Sequence, residues 1–176
     1  MSLNMIVAFD ENGVIGANGD LLWRIPTDMK YFKSKTTNNS VAMGRDTWES
    51  IPDQKKPLDE RFNIVLTSKP DYKVPDGVVL AKSIMGAVHI VKETKKFAHQ
   101  DIFLIGGEKV YNEGMLFAEK LFVTEVHTKI DTSGMTKVRR FPKIDPRVWK
   151  EVYRSERITD EKSGLDITHV IYEQIC

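Results

Sequence analysis

Short apolar runs alternate with stretches of helical pattern through the first two-thirds of this chain, and the last third carries apolar runs alone. Runs at residues 5–9, 40–43, 63–67, 77–80 and 101–105 are each bounded by turn-forming residues and read as strands. Helical patterns fill the intervals at residues 27–36, 45–50, 83–95 and 108–117. Strand–helix alternation of this kind builds a largely parallel sheet covered on both faces. Beyond it, residues 120–128, 149–158 and 166–174 are strand-like. The last two pair as a hairpin whose turn chemistry comes from Asp160, Lys162, Ser163 and Gly164. The expected architecture is α/β: a central, mostly parallel sheet of about eight strands, four flanking helices and an antiparallel C-terminal hairpin.

A chain of 176 residues with 41% hydrophobic content makes a single domain, residues 1–176, with a substantial core. The net charge of +1 gives none of the basic bias of a nucleic-acid-binding domain, so the expected partners are small molecules. The apolar run at 5–9 is short and meets Asp10 at once, which excludes a signal peptide or a membrane span there. Cys176 is the sole cysteine, so no intramolecular disulfide forms and a reducing compartment, the cytoplasm, is expected. His89, His99, His127 and His169 lack metal-ligand spacing and read as structural or exposed; no metal is expected. Lys92, Lys95 and Lys96 complement the end of a helix, Arg139 and Arg140 sit in a solvated loop, and Trp149 and Tyr153 belong to the core of a late strand.

Pro26 marks a helix start and places Asp28 in the first turn. An acidic side chain there complements the helix dipole, which by itself accounts for a lone aspartate. Its neighbours add a second reading. Phe32 lies one turn on along the same face, and Met29 and Phe32 adjoin each other, so the carboxylate is framed by apolar groups. Such a group accepts two parallel hydrogen bonds from the amidine-like edge of a flat heterocycle. Burial against Phe32 and Trp23 raises its proton affinity, leaving a carboxyl able to assist proton transfer.

Two strand-to-helix junctions carry glycine. Val41-Ala42-Met43-Gly44 runs into Arg45-Asp46-Thr47-Trp48, where helix amides, the Thr47 hydroxyl and the Arg45 guanidinium suit a pyrophosphate; an ordinary turn explains the segment equally well. Ile105-Gly106-Gly107-Glu108-Lys109-Val110-Tyr111 allows close backbone approach to a ligand, or close packing of helix on sheet. Neither matches the dinucleotide fingerprint. Thr67, Ser68 and Lys69 close a strand with two hydroxyls and a cation, a seat for one more phosphate or a solvated loop.

Val14-Ile15-Gly16, Trp23-Arg24-Ile25-Pro26-Thr27-Asp28, Met43-Gly44-Arg45 with Thr47-Trp48-Glu49-Ser50-Ile51, and Ile105-Gly106-Gly107 together resemble the dihydrofolate reductase family in order and spacing, from residue 5 to about 172. The resemblance implies a single-domain reductase that uses NADPH to convert 7,8-dihydrofolate to 5,6,7,8-tetrahydrofolate, by hydride transfer to C6 and protonation at N5, in support of one-carbon and thymidylate metabolism. It implies dihydrofolate and antifolates as ligands, a monomer, and no nucleic-acid or membrane partner. Asp28 matches the pterin-binding carboxylate, supported by Thr124. Ile6, Val7, Ala8, Met29, Phe32, Ser50, Ile51 and Ile105 line the pterin and nicotinamide pockets. Leu21 lies in the closing loop, Trp23 holds a water near Asp28, and Tyr111 sits beside the nicotinamide. Leu58 packs the benzoyl ring and Arg61 binds the glutamate α-carboxylate. The cofactor set comprises Ala8, Ile15, Gly16, Gly44, Arg45, Asp46, Thr47, Thr67, Ser68, Lys69, Lys82, Ile105, Gly106, Gly107, Glu108, Lys109, Val110 and Tyr111. A related pyrimidine reductase of riboflavin synthesis is the alternative enzyme, and Asp28 behind Trp23 and Pro26 argues against it. A non-catalytic folate-binding protein is the alternative outside catalysis.

The sequence departs from the family pattern in several places. Leu22 stands where many members have proline, so the closing loop at 17–22 departs. Asp46 replaces a common basic residue, residues 54–57 are a local expansion, and residues 131–141 are longer and more basic than usual. An aspartate that partners the mobile loop in some members is missing from that segment.

Overall fold

The computed structural model describes residues 1–19 and 21–176. The chain divides into two compact units, one made of Met1–Asn4 and Thr36–Ala118, the other of Met5–Lys35 and Glu119–Cys176.

The first unit is a parallel α/β layer. Its strands are β3 (Ser40–Gly44), β4 (Phe62–Leu66), β5 (Val79–Ala81) and β6 (Ile102–Leu104), in the order β6-β3-β4-β5; β1 (Leu3–Phe9) and β2 (Val14–Gly16) precede them in the chain. All three pairings are parallel, with Ala42 aligned on Leu104 to one side and on Ile64 to the other. Val41, Ala42, Met43, Ile64, Val65, Ile102 and Leu104 are buried, as continuous apolar runs covered on both faces require. The helices are α2 (Arg45–Ser50), α3 (Ile84–Glu93) and α4 (Glu108–Gly114), after α1 (Pro26–Thr36). The helix α3 shows how sequence sets these elements. The Ser83 side chain accepts from the Gly86 N–H, and Ile84, Ala87, Val88 and Val91 form the buried stripe. It ends at Glu93, short of the expected residue 95: Thr94 is extended, its N–H returning to the Val91 carbonyl and its hydroxyl to the Ile90 carbonyl at 2.8 Å. Lys95 and Lys96 therefore lie beyond it. Likewise α4 stops at Gly114, three residues before the expected end.

Parallel alignment puts Gly44, Thr67 and the residues after Leu104 at the same, carboxyl end of the sheet, where open α/β sheets bind ligands.

The second unit is antiparallel. Its long strands are β7 (Lys120–Val126) and β11 (Asp166–Gln174), paired with Thr124 opposite His169; β9 (Trp149–Arg154) and β10 (Ile158–Thr159) follow one another along the other edge of β11. A two-residue strand, β8 (Arg139–Arg140), pairs with β2, a small ladder that the sequence did not announce. The expected strand over 149–158 is in fact two strands. From Arg154 to Ile158 the chain advances four residues while its partner moves three, from Val170 to Ile167, so one residue bulges out. Ser155 holds that bulge, donating its N–H to the His169 carbonyl and accepting the His169 N–H on its hydroxyl. Trp149 is buried as expected, whereas Tyr153 is half-exposed because β9 turns most of its residues to solvent.

All eight expected strand runs and all four expected helices are present, so the fold is α/β with an antiparallel C-terminal hairpin. No helix among the described residues is long and apolar enough to cross a membrane.

Candidate active site

In the antiparallel unit, α1 starts on a cap supplied from far along the chain. Pro26 opens the helix and the Ile25 carbonyl accepts the Met29 N–H. Asp160, in the turn between β10 and β11, accepts both the N–H and the hydroxyl of Thr27. The next residue is Asp28. Its Oδ1 accepts a 2.5 Å hydrogen bond from the hydroxyl of Thr124, which is buried on β7. Beyond the threonine, Nδ1 of the buried His169 lies 3.0 Å from Thr124 Oγ1 and 4.0 Å from Asp28 Oδ1. The Tyr31 ring stacks on the imidazole with centroids 3.7 Å apart.

Burial raises the Asp28 pKa from 3.8 to about 6, and the Thr124 hydrogen bond moderates the rise. A carboxyl titrating there exists in both forms near neutrality, as a proton-handling group must. The Tyr31 phenol is pushed up to about 12 by burial and by the nearby Asp28 and Tyr153. Trp23 packs with Ala8 against the cluster of Ile25, Val126 and Ile167. Ile6 and Val7 are buried, Phe32 is half-buried, and Met29 and Leu21 are exposed.

The loop at 17–22 contains Asp20, which lies outside the described residues. Asn18, two residues before it, is strapped to the basic segment: its N–H donates to the Thr136 carbonyl, and its Oδ1 accepts the Thr136 N–H and hydroxyl. Asn18 and Thr136 thus tie the start of this loop to the basic segment. Ile15 and Gly16 lie on β2, paired with β8.

In the parallel unit, the two glycine junctions meet. The Gly44 N–H donates to the Gly106 carbonyl at 2.8 Å. A Cβ on Gly44 would come within 3.4 Å of Val110, one on Gly107 within 3.3 Å of the Thr47 hydroxyl, and one on Gly106 within 3.3 Å of the Tyr111 ring. Gly106 also adopts φ +118°, which side chains rarely tolerate. Gly44 and Gly107 provide no side-chain cap to α2 or α4. Arg45 lies 3.7 Å from Glu49 and over the Tyr72 ring, and Asp46 is exposed in the first turn of α2. Ser68, Lys69, Lys82 and Lys109 are exposed, Thr67, Ile105 and Glu108 are half-buried, and the Thr67 hydroxyl accepts the Lys69 N–H.

The same unit builds the Leu58–Arg61 turn. Buried Asn63 staples it, accepting the Leu58 N–H and donating to the Leu58 and Arg61 carbonyls. Arg61 donates to the Thr36 hydroxyl at 3.1 Å and to the Asp59 carbonyl at 2.9 Å, and burial lowers its pKa. The expansion at 54–57 includes a 3-10 turn, Asp53–Lys55, after which Lys56 folds back to donate to the Trp48 carbonyl. Ser50 and Ile51 end α2, and the Ser50 hydroxyl bonds to the Thr47 carbonyl.

A sequence model described as dihydrofolate reductase matches residues 2–174. The chain belongs to the dihydrofolate reductase family. It is therefore an oxidoreductase that reduces dihydrofolate with NADPH. The dihydrofolate reductase of Bacillus subtilis is 34% identical over 98% of this chain and 94% of that relative, and that of Buchnera aphidicola is 38% identical over 97% and 98%. A solved dihydrofolate reductase from Enterococcus faecalis, complexed with NADP(H) and RAB-propyl, is 33% identical and superposes with a TM-score of 0.83 over 99% of this chain and 97% of that one.

Asp28 and Thr124 were expected together, and the structure surrounds them with groups that were not expected there. Asp160 looked like turn chemistry, His169 like a structural histidine, and Tyr31 was not singled out. No local pattern marked His169, because the pairing of β11 with β7 that sets it across from Thr124 joins strands distant in the chain.

Proposed function

We propose that Asp28 is the pterin-binding and proton-handling carboxylate of this reductase, with Thr124 fixing its orientation. The observation that carries this is a carboxylate with a pKa raised to about 6, held by one buried hydroxyl in the first turn of α1. In its ionised form Asp28 accepts two parallel hydrogen bonds from the amidine-like edge of the pterin, a geometry that orients the ring and carries charge assistance. Because its pKa lies near neutrality, Asp28 also favours proton delivery toward N5, through a water held by Trp23.

The residues of the parallel unit fit NADPH on their own evidence. Gly44, Gly106 and Gly107 keep backbone bare of side chains beside Val110, Tyr111 and the Thr47 hydroxyl, so a dinucleotide could approach the main chain closely there. Arg45, Thr47, Ser68 and Lys69 would hold the phosphates, with Lys82 and Lys109 as outer cations, and Tyr111 would face the nicotinamide. Bound there, NADPH supplies the hydride. By the family resemblance Ile6, Val7, Ala8, Met29 and Phe32 of the antiparallel unit, and Ser50, Ile51 and Ile105 of the parallel unit, would each contact the pterin or the nicotinamide, Leu58 would pack the benzoyl group, and Arg61 would take the glutamate carboxylate.

The match to the family model from residue 2 to 174 supports reading the whole chain as one reductase domain, which we propose acts as a monomer. An exposed lone cysteine suits the reducing cytoplasm. The direct test is NADPH oxidation that depends on dihydrofolate, with Asp28→Asn abolishing most turnover at pH 7 while NADPH still binds. Near-normal turnover by that variant would remove Asp28 from the role.

A further inference from the structure

Three side chains from three elements form a continuous chain: Asp28 of α1, Thr124 of β7 and His169 of β11. Thr124 has one hydroxyl proton, and its 2.5 Å contact to Asp28 Oδ1 commits that proton to the carboxylate whenever Asp28 is ionised. The 3.0 Å contact to His169 is then satisfied in one way only, with Nδ1 carrying a hydrogen and donating to the threonine oxygen. A neutral Nε2–H tautomer would set two lone pairs against each other inside a buried site.

We infer that His169 is a positioning residue for the substrate carboxylate: by donating from Nδ1 to Thr124 it polarises the threonine hydroxyl toward Asp28 and thereby sets where Asp28 titrates. The inference rests on the reading of Asp28 as the substrate carboxylate for its effect on turnover, though not for its effect on Asp28 itself.

The surroundings fix the imidazole in place and disfavour its charged form. Tyr31 covers its face, and Ser155 clamps its backbone on both the N–H and the carbonyl. On its face of the sheet the titratable groups are Asp28, Tyr31 and Lys35 of α1 and Tyr153 of β9, whereas Glu125 and Arg154 pair with each other on the opposite face. Burial and the charge of Lys35 both lower the His169 pKa. When Asp28 takes up a proton the chain reverses: the carboxyl O–H donates to Thr124, Thr124 donates to Nδ1, and the imidazole hydrogen resides on Nε2. The protonation state of Asp28 is thus coupled to the tautomer of His169, and cooperative hydrogen bonding makes each link strengthen the next.

The test joins nitrogen NMR of the wild-type imidazole with titration of a carbon-labelled Asp28 carboxyl in wild type, His169→Phe and His169→Asn. At pH 8 the wild-type imidazole is expected as the Nδ1–H tautomer, giving way to Nε2–H as pH falls through the Asp28 transition. His169→Phe removes the donor, so the Asp28 pKa should rise by about half a unit or more, and His169→Asn, which retains an N–H near Nδ1, should hold it within roughly 0.2 unit. The pH midpoint of kcat/KM for dihydrofolate should move with it. An Nε2–H tautomer at pH 8, which the wild-type protein reports even if a variant fails to fold, would overturn the inference. So would an unmoved Asp28 pKa in a folded His169→Phe variant. A purely structural histidine would lower stability in both variants and shift neither titration. If instead the Asp28 pKa moves and the kcat/KM profile does not, the positioning stands and the substrate role of Asp28 fails.

Discussion

Asp160 and Thr27 are 133 residues apart in sequence, yet the Asp160 carboxylate accepts the Thr27 hydroxyl at 2.5 Å and its N–H at 3.0 Å. The turn of the C-terminal hairpin thereby caps the helix that presents Asp28. A side-chain acceptor at a helix start satisfies an otherwise orphaned N–H, and here it also fixes the residue directly before Asp28.

Removing this cap should therefore affect binding as well as folding. Asp160→Ala is expected to lower the urea midpoint at pH 7 and raise KM for dihydrofolate, with Asp160→Asn milder because it keeps an acceptor. Hydrogen bonds from Thr27 and Ser163 hold the Asp160 pKa below the ordinary carboxylate range. A depressed carboxyl contributes stability that is present above its unfolded pKa and is lost as pH falls through the folded value. The gap between wild type and Asp160→Ala should accordingly close in acid. Equal midpoints at pH 7 would contradict the capping role.

Asp28 has the opposite sign. Its folded pKa is raised from 3.8 to about 6, so the stability advantage of its protonated form is full below 3.8 and is lost as pH rises through 6. At 1.36 kcal/mol per unit, the ionised carboxylate costs the fold at most roughly 3 kcal/mol above that range. Asp28→Asn, which can still accept from Thr124, should be about 1–3 kcal/mol more stable than wild type at pH 8 and indistinguishable near pH 3.5. Denaturation curves at the two pH values check this, and a variant less stable at pH 8 would refute it. The same variant should lose most turnover, a trade of function against stability.

Gly106 combines φ +118° with the Tyr111 ring 3.3 Å from where a Cβ would stand. Gly106→Ala should strain the backbone by about 1–3 kcal/mol and displace Tyr111. NADPH affinity is expected to fall tenfold or more, about 1.4 kcal/mol, by fluorescence titration. Retained affinity would show that the close approach is mere packing of helix on sheet.

Arg61 offers a test of the substrate tail. A hydrogen-bonded charged group contributes about 1.5–3 kcal/mol, so Arg61→Gln should raise KM for dihydrofolate roughly 10- to 100-fold. A dihydropterin lacking the glutamate should be reduced by wild type and variant with the same KM. A parallel loss on both substrates would move Arg61 out of tail recognition and into the structure of its turn.

Much of the site was legible along the chain because its determinants are local. Proline placed Asp28 in a first turn, and glycine marked the two junctions where backbone approaches backbone. Thr124 and Arg61 were named by resemblance to a family, and the structure gives each a hydrogen-bond partner that the resemblance did not supply, His169 for one and Thr36 for the other. The closing loop was read only as a departure. Its tie from Asn18 to Thr136 joins residues 118 apart, and no local pattern announces such a pair.

The sequence by itself determined where the four helices and the eight main strand runs lie and which carboxylate heads α1, since periodicity, caps and turn residues act within a few positions of one another. Tertiary structure decided the bulge at Ser155, the cap that Asp160 lends to α1, and the line from Asp28 through Thr124 to His169. These depend on strand register and on contacts between distant segments. A one-residue slip of β11 would turn His169 to the other face, and nothing in its immediate neighbours forbids that slip.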